Sequence, residues 1–174
     1  MSTCSKCGYD WASPPRQAAA AVRALPGRLT GLLHDLGIGN DTAALRARPA
    51  AHVWSALEYI GHTGEAIGWY ADRVTRILTE ERPAFGPFDW DAHTARRHYH
   101  DGHFDTALSG LGDACTRLAA AVSGLNGDGW QRQGIGSDGQ PRSIEQLVNR
   151  AAHEARHHFQ DIRAGLTSDA RSAQ

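Results

Sequence analysis

The sequence predicts an all-α protein built as a four-helix bundle. Three observations lead there: four stretches carry apolar residues at helical spacing, no useful length of chain alternates as a strand would, and no internal repeat occurs. The chain has 174 residues, 41% of them hydrophobic and 21% charged, which suits one domain with a sizeable core.

The first helix is expected after Pro14-Pro15, with Val22, Leu25, Leu29, Leu32 and Leu36 along one face. Pro26 should kink or interrupt it, and the run Gly37 to Asn40 should end it. The second is expected from about Ala50 to Leu78, on a stripe of Val53, Leu57, Ile60, Ile67, Val74 and Leu78, with Arg82 to Pro87 as its stop. The third carries Phe104, Leu108, Leu111, Cys115, Leu118, Val122 and Leu125 and breaks at Gly127-Asp-Gly; Gly134 to Pro141 reads as loop. The fourth opens where Ser143 and Gln146 stand at capping-box spacing and continues through Ile144, Val148, Ala151, Ala155, Phe159 and Ile162. The expected organisation is a cysteine-containing arm over residues 1–14, a bundle over 15–166 and a flexible tail over 167–174.

A net charge of −1 favours neither nucleic acid nor an anionic membrane, and no apolar run is long enough to span a bilayer. The polar stretch from Met1 to Cys7 does not read as a signal peptide, and three cysteines cannot all pair within one chain, so a reducing cytoplasm is expected. Lys6 is the only lysine; every other basic residue is arginine. With abundant Ala and Gly, that usage points to a GC-rich, actinobacterial type of genome. The oligomeric state is left open, a homodimer included.

His153-Glu-Ala-Arg-His157 is the stretch with the most chemistry. Two imidazoles four residues apart share one helix face and can hold one metal ion. The string also fits the H-E-x-x-H pattern of zinc proteases, with Glu154 as base. The extended protease pattern wants Gly and His where Gln160 and Arg163 stand, and no strand is visible to align a peptide, so that reading is set aside. His153 and His157 lie opposite the apolar stripe of their helix, with Asn149 and Gln160 on the same face. His62 lies opposite the stripe of the second helix, flanked by Glu58, Glu65 and Trp69. Taken alone, these residues fit either a solvent-facing polar surface or a metal pocket. Trp54 and Trp69 on the polar side are costly to expose, which favours the pocket.

Together these segments resemble the DinB/YfiT-like superfamily. Trp54-Ser-Ala-Leu-Glu58-Tyr-Ile-Gly-His62 is similar to that family's W-S-x-x-E-x-x-x-H segment, and His153 to Ile162 is similar to its terminal H-x-x-x-H-x-x-Q-x-I segment. The resemblance spans residues 15–166. It implies a four-helix fold whose metal, zinc or else nickel or iron, is held by His62, His153 and His157. It also implies a transferase joining a low-molecular-weight thiol to a small electrophile, related to mycothiol-dependent maleylpyruvate isomerases. In that family bacillithiol, mycothiol and glutathione serve in different lineages, so the resemblance implies one of these thiols, mycothiol being the one named for an actinobacterial type of genome. A non-catalytic metal-binding or stress-response protein is the rival on the same scaffold. Asn149 departs from relatives with another histidine there, and His158-Phe159 replaces a commoner Arg-Gly pair. Glu58 or Asp161 would orient a ligand imidazole, with Trp69, Asn149 and Gln160 around the pocket. Arg150 or Arg156 would pair with a substrate carboxylate or simply face solvent.

Cys4-Ser-Lys-Cys7-Gly8 has the form of half a zinc knuckle. A structural zinc there needs outside donors, for which His93, His98, His100 and His103 are available; a redox dithiol or a free arm are the alternatives. The tract His98 to His103 reads more simply as a polar connection into the third helix, and Cys115 as a core residue.

Overall fold

The computed structural model describes residues 3–172, with side chains through residue 167. Four long helices form the bundle: α1 (Pro15–Asp35), α3 (Ala56–Thr79), α5 (Phe104–Val122) and α6 (Ile144–Ser172). Two short ones, α2 (Thr42–Arg46) and α4 (Trp90–Arg97), ride on the connections. α1 packs against α5 and α6, and α3 packs against the same two, so α1 and α3 are diagonal partners. Leu25, Leu29, Leu57, Ile60, Ile67, Leu111, Leu118 and Ile144 fill the centre, each almost wholly buried.

The helix ends follow local chemistry. α3 starts at a capping box: the Ser55 hydroxyl accepts from the Glu58 backbone N–H, and the Glu58 carboxylate accepts from the Ser55 N–H at 2.9 Å. That box sits several residues after the start expected near Ala50. α6 starts at the Ser143/Gln146 box, with both reciprocal bonds formed. Of the two outcomes expected at Pro26, a kink or an interruption, the interruption does not occur. Proline removes one helical donor and crowds the preceding turn, but Leu25 and Leu29 on either side of it are locked in the core. Beyond α1, Gly37 and Gly39 take positive φ as expected.

Three further departures concern short elements. Residues 133–143 hold a two-stranded antiparallel ribbon, β1 (Gln133–Ile135) and β2 (Pro141–Ser143), where a plain loop was expected. Ile135 also exchanges backbone hydrogen bonds with the segment 83–85, tying the ribbon to the stretch after α3. α4 lies in the second long connection. α6 continues as helix to Ser172, inside the stretch expected to be a tail; residues 173–174 fall outside the described residues. No described helix is long and apolar enough to cross a membrane.

α3 is buried along most of its length, because the α4 region and His158 of α6 cover the polar side that Trp54 and Trp69 mark. Its contact with α5 is close at Gly64, where a Cβ would stand 3.1 Å from the Leu111 backbone. Gly64→Leu should therefore destabilise the protein by about 1–3 kcal/mol, as overpacked cores do, seen as a lower denaturation midpoint at unchanged slope. Cys115 is buried on α5, and burial pushes its thiol up to about 12. It is a core residue and a poor nucleophile.

Candidate functional site

Among the described residues, two neighbouring groups of side chains that could hold a metal ion gather along one face of α6. In the first, Cys4, Cys7, His153 and His157 bring one ligand atom each to within 4.8 Å of one another. In the second, His62, Glu154 and His158 do the same. His153, Glu154, His157 and His158 come in overlapping pairs at i and i+4, so one helix feeds both groups. The expected trio of His62, His153 and His157 is divided between the two, His62 joining Glu154 and His158.

The first cluster exists because the arm folds back onto α6. Cys4 to Gly8 forms a tight turn in which the Gly8 N–H donates to the Cys4 carbonyl at 2.8 Å. Gly8 takes φ +67°, a left-handed conformation that favours glycine. Thr3 and Asp10 pair across the turn. From α6, Arg156 Nε and Gln160 Nε2 donate to the Cys7 carbonyl at 2.7 and 3.1 Å. The buried Tyr9 hydroxyl donates to Asn149 Oδ1 at 2.6 Å. Trp11 stacks on His153, ring centroids 4.6 Å apart. Asn149, Arg156 and Gln160 thus hold the arm against α6, and Asn149 also lines a cavity beside Trp11. Backbone hydrogen bonding from Cys7 and the side chain of His153 lower the Cys4 thiol to about 5. Its Sγ lies 3.8 Å from His157 Nδ1. His153 Nε2 is buried without a hydrogen-bond partner.

The imidazoles that stand beside the cysteine pair are His153 and His157, and the tract 93–103 makes other contacts. His93 pairs with Glu65, which also accepts from the Tyr99 hydroxyl at 2.7 Å and pairs with Arg97. His98 caps α4 in a left-handed conformation, and His103 precedes α5. This network pins the α4 region over α3.

In the second cluster, His62 projects from α3 among Trp54, Trp90, Tyr99 and His158, with centroid separations of 5.1, 5.5, 6.3 and 5.2 Å. Its Nδ1 is buried and unpartnered. Burial in this aromatic nest, with His158 beside it, lowers its pKa to about 4, so it is neutral at pH 7. His158 Nε2 lies 3.2 Å from Glu154, and its Nδ1 lies 3.0 Å from Asp161. Burial opposes charge on His158, but the bonds to Asp161 and Glu154 outweigh it and raise its pKa to about 9. Neither Glu154 nor His158 was singled out as a ligand from the sequence. The available signal was their i, i+4 spacing, with Asp161 three residues on, overlapping His153 and His157 in the same run.

Of the other expected residues, Glu58 faces away from both clusters: it closes the capping box and pairs with Arg48, Nε to Oε2 2.8 Å. Burial would raise its pKa, but Arg48 and the Ser55 amide outweigh that and hold it below the usual range. Its stabilising contribution is thus full above the unfolded value and fades as pH falls through the folded one. Glu58→Gln should cost about 1–2 kcal/mol at pH 7, and urea midpoints of wild type and variant should converge below about pH 4. Trp69 lines a cavity of about 600 Å³ with Glu65, Trp90, His93, Arg97 and Tyr99. The Arg73 guanidinium lies 3.1 Å from the centre of the Trp69 ring. Trp90 and Tyr99 touch His62 and also wall that cavity, which places it beside the second cluster.

Both donor sets fit a metal ion: each supplies at least two imidazoles with anionic partners, and each contains a buried imidazole nitrogen that nothing in the protein satisfies. None of the curated proteins matches the chain. Among solved structures, YfiT from Bacillus subtilis, described as a probable metal-dependent hydrolase with an unusual four-helix bundle topology, aligns with a TM-score of 0.74 at 17% identity. The alignment covers 99% of this chain and 92% of that one, and at that identity it establishes the fold. The family model of the DinB superfamily matches residues 21–162, well over half the sequence and including His62, His153, Glu154, His157 and His158, and the chain belongs to that superfamily.

Proposed function

We propose that the chain is a metal-dependent thiol transferase whose working metal is held by His62, Glu154 and His158. The observation that carries this reading is the number of donors. The second cluster brings together three protein ligands, the count that leaves coordination positions for a reactant, whereas the first brings four. A bound divalent metal would supply the positive charge that keeps a thiol sulfur ionised at neutral pH. In the transfer, sulfur forms a bond to the electrophilic carbon, and the thiol proton and the leaving group depart.

The side chains have separable tasks. Asp161 accepts from His158 Nδ1–H and so fixes which nitrogen faces the metal. Glu154 supplies the carboxylate donor. Trp54, Trp90 and Tyr99 keep His62 neutral and shield the centre from water. The neighbouring cavity, walled by Trp69, Phe88 and Trp90, suits a small, partly apolar electrophile. Mycothiol is the thiol we infer, on the arginine-biased composition.

A second reading is favoured by one observation: two histidines and a carboxylate are the donor set of several zinc hydrolases, and YfiT is described as a probable metal-dependent hydrolase. The two readings separate in one assay. Metal-loaded protein is incubated with mycothiol, glutathione or cysteine and a bimane electrophile, and conjugates are read by mass, beside a panel of small esters and amides. Metal-dependent thioether formation supports transfer. Hydrolysis without conjugation overturns it in favour of the second reading, and metal uptake with neither reaction leaves a binding protein.

A further inference from the structure

The geometry points to a second metal site, a closed tetrahedral zinc centre formed by Cys4, Cys7, His153 and His157 that clasps the N-terminal arm to α6. It is separate from the open site proposed for catalysis and does not depend on that site's activity.

Four independent features support it. The donors number four, two sulfurs and two imidazoles, all mutually within 4.8 Å, and that set selects zinc over hard cations. Charge balances: two thiolates neutralise the dication and the imidazoles stay neutral, so a centre containing the buried Cys7 carries no net charge. The turn is built independently of any metal, through the Gly8 and Cys4 backbone bonds and the Arg156 and Gln160 bonds to the Cys7 carbonyl. Those are the outer contacts that orient a ligand loop. Finally, His153 Nε2 is buried with no partner in the protein, a cost that a ligated or hydrogen-bonded nitrogen would not carry.

A redox dithiol fits less well. Cys7 is buried where the arm meets α6 and its thiol is pushed up rather than down, whereas exchange needs an accessible sulfur. Two histidines at i and i+4 directly behind the pair also have no part in a disulfide cycle.

Cobalt substitution reads the ligands directly. The full chain, reduced and stripped, is titrated with Co²⁺ and followed in the near ultraviolet, where thiolate-to-cobalt charge transfer absorbs. The wild type should show that band. Cys4→Ser/Cys7→Ser should lose it, and His62→Ala/His158→Ala should keep it. Absence of the band in cobalt-bound wild type, or its survival in the cysteine variant, overturns the assignment. To keep the test independent of how the cysteine variant folds, the second measurement uses wild type alone: alkylation of each cysteine is read by mass with and without zinc. Zinc should slow Cys4 and Cys7 together by at least tenfold while Cys115 stays inert throughout. Equal rates with and without zinc overturn the proposal. Loss of conjugating activity in His62→Ala/His158→Ala bears only on the open site, so the two readings fail separately.

Discussion

Glu154→Ala is expected to abolish turnover while leaving one metal ion per chain in place. Glu154 is the carboxylate of the three-donor cluster, 3.2 Å from His158 Nε2. Removing an outer partner of a metal ligand costs roughly 10–100-fold, and removing a direct donor should exceed that. Metal content per chain should fall from two equivalents to one, because Cys4, Cys7, His153 and His157 are untouched. The alternative distribution, with a single metal on His62, His153 and His157, makes the opposite forecast: Glu154→Ala would retain its metal and most of its activity. Elemental analysis beside the conjugation assay therefore decides between them. Asp161→Asn should behave differently again, keeping the metal at saturating concentration and losing affinity by roughly 10–100-fold, since Asp161 meets His158 Nδ1 at 3.0 Å.

The bundle was legible because its signal is repeated: each long helix carries several apolar residues at constant phase, and one misplaced residue does not change the reading. Boundaries that rest on a single interaction were legible only where that interaction was sought. The Ser143/Gln146 box is legible in the sequence, while the equivalent Ser55/Glu58 box is hidden by the reading of Glu58 as a residue that orients a ligand imidazole. Pro26 shows the opposite case, a strong local signal overridden by buried neighbours. The ribbon over 133–143 has three-residue strands, too short to register as alternation.

The candidate ligands of the first cluster are visible in the sequence in halves. Cys-x-x-Cys and His-x-x-x-His are together the ligand spacing of a two-cysteine, two-histidine zinc site, but about the whole bundle separates them in sequence. Nothing in the spacing says that the arm returns to α6. What brings it back is a set of contacts invisible to periodicity: Tyr9 on Asn149, Arg156 and Gln160 on the Cys7 carbonyl, Trp11 on His153. Asn149 had appeared as a departure from a histidine found in relatives; in the structure it is the acceptor that docks the arm. Cys4 and Cys7 stand beside His153 and His157, while Glu154 and His158 stand beside His62, which is why the proposed transfer is assigned to the second cluster.

Removal of zinc from the clasp should loosen the arm and lower the melting temperature by about 8–16 °C. A ligand that binds only the folded state at about 1,000 times its dissociation constant contributes about 4 kcal/mol, and a domain of this size shifts by roughly 2–4 °C per kcal/mol. Since a chelator empties both sites, the measurement belongs in the His62→Ala/His158→Ala background, where the clasp is the remaining centre. That protein should melt lower with chelator, and adding Cys4→Ser/Cys7→Ser should bring the melting point to the same value and make it insensitive to chelator. The chain offers a local readout as well. Lys6 is the only lysine and lies in the turn between the two cysteines, so a lysine-specific protease has one place to cut. With zinc bound, the turn holds Lys6 and Cys7 in a fixed, bonded conformation and cleavage should be slow; with chelator it should quicken by at least tenfold, because local opening rather than global unfolding then limits access. Equal cleavage in both conditions, or a melting point that ignores the chelator, would mean that Tyr9, Trp11 and Arg156 hold the arm without metal.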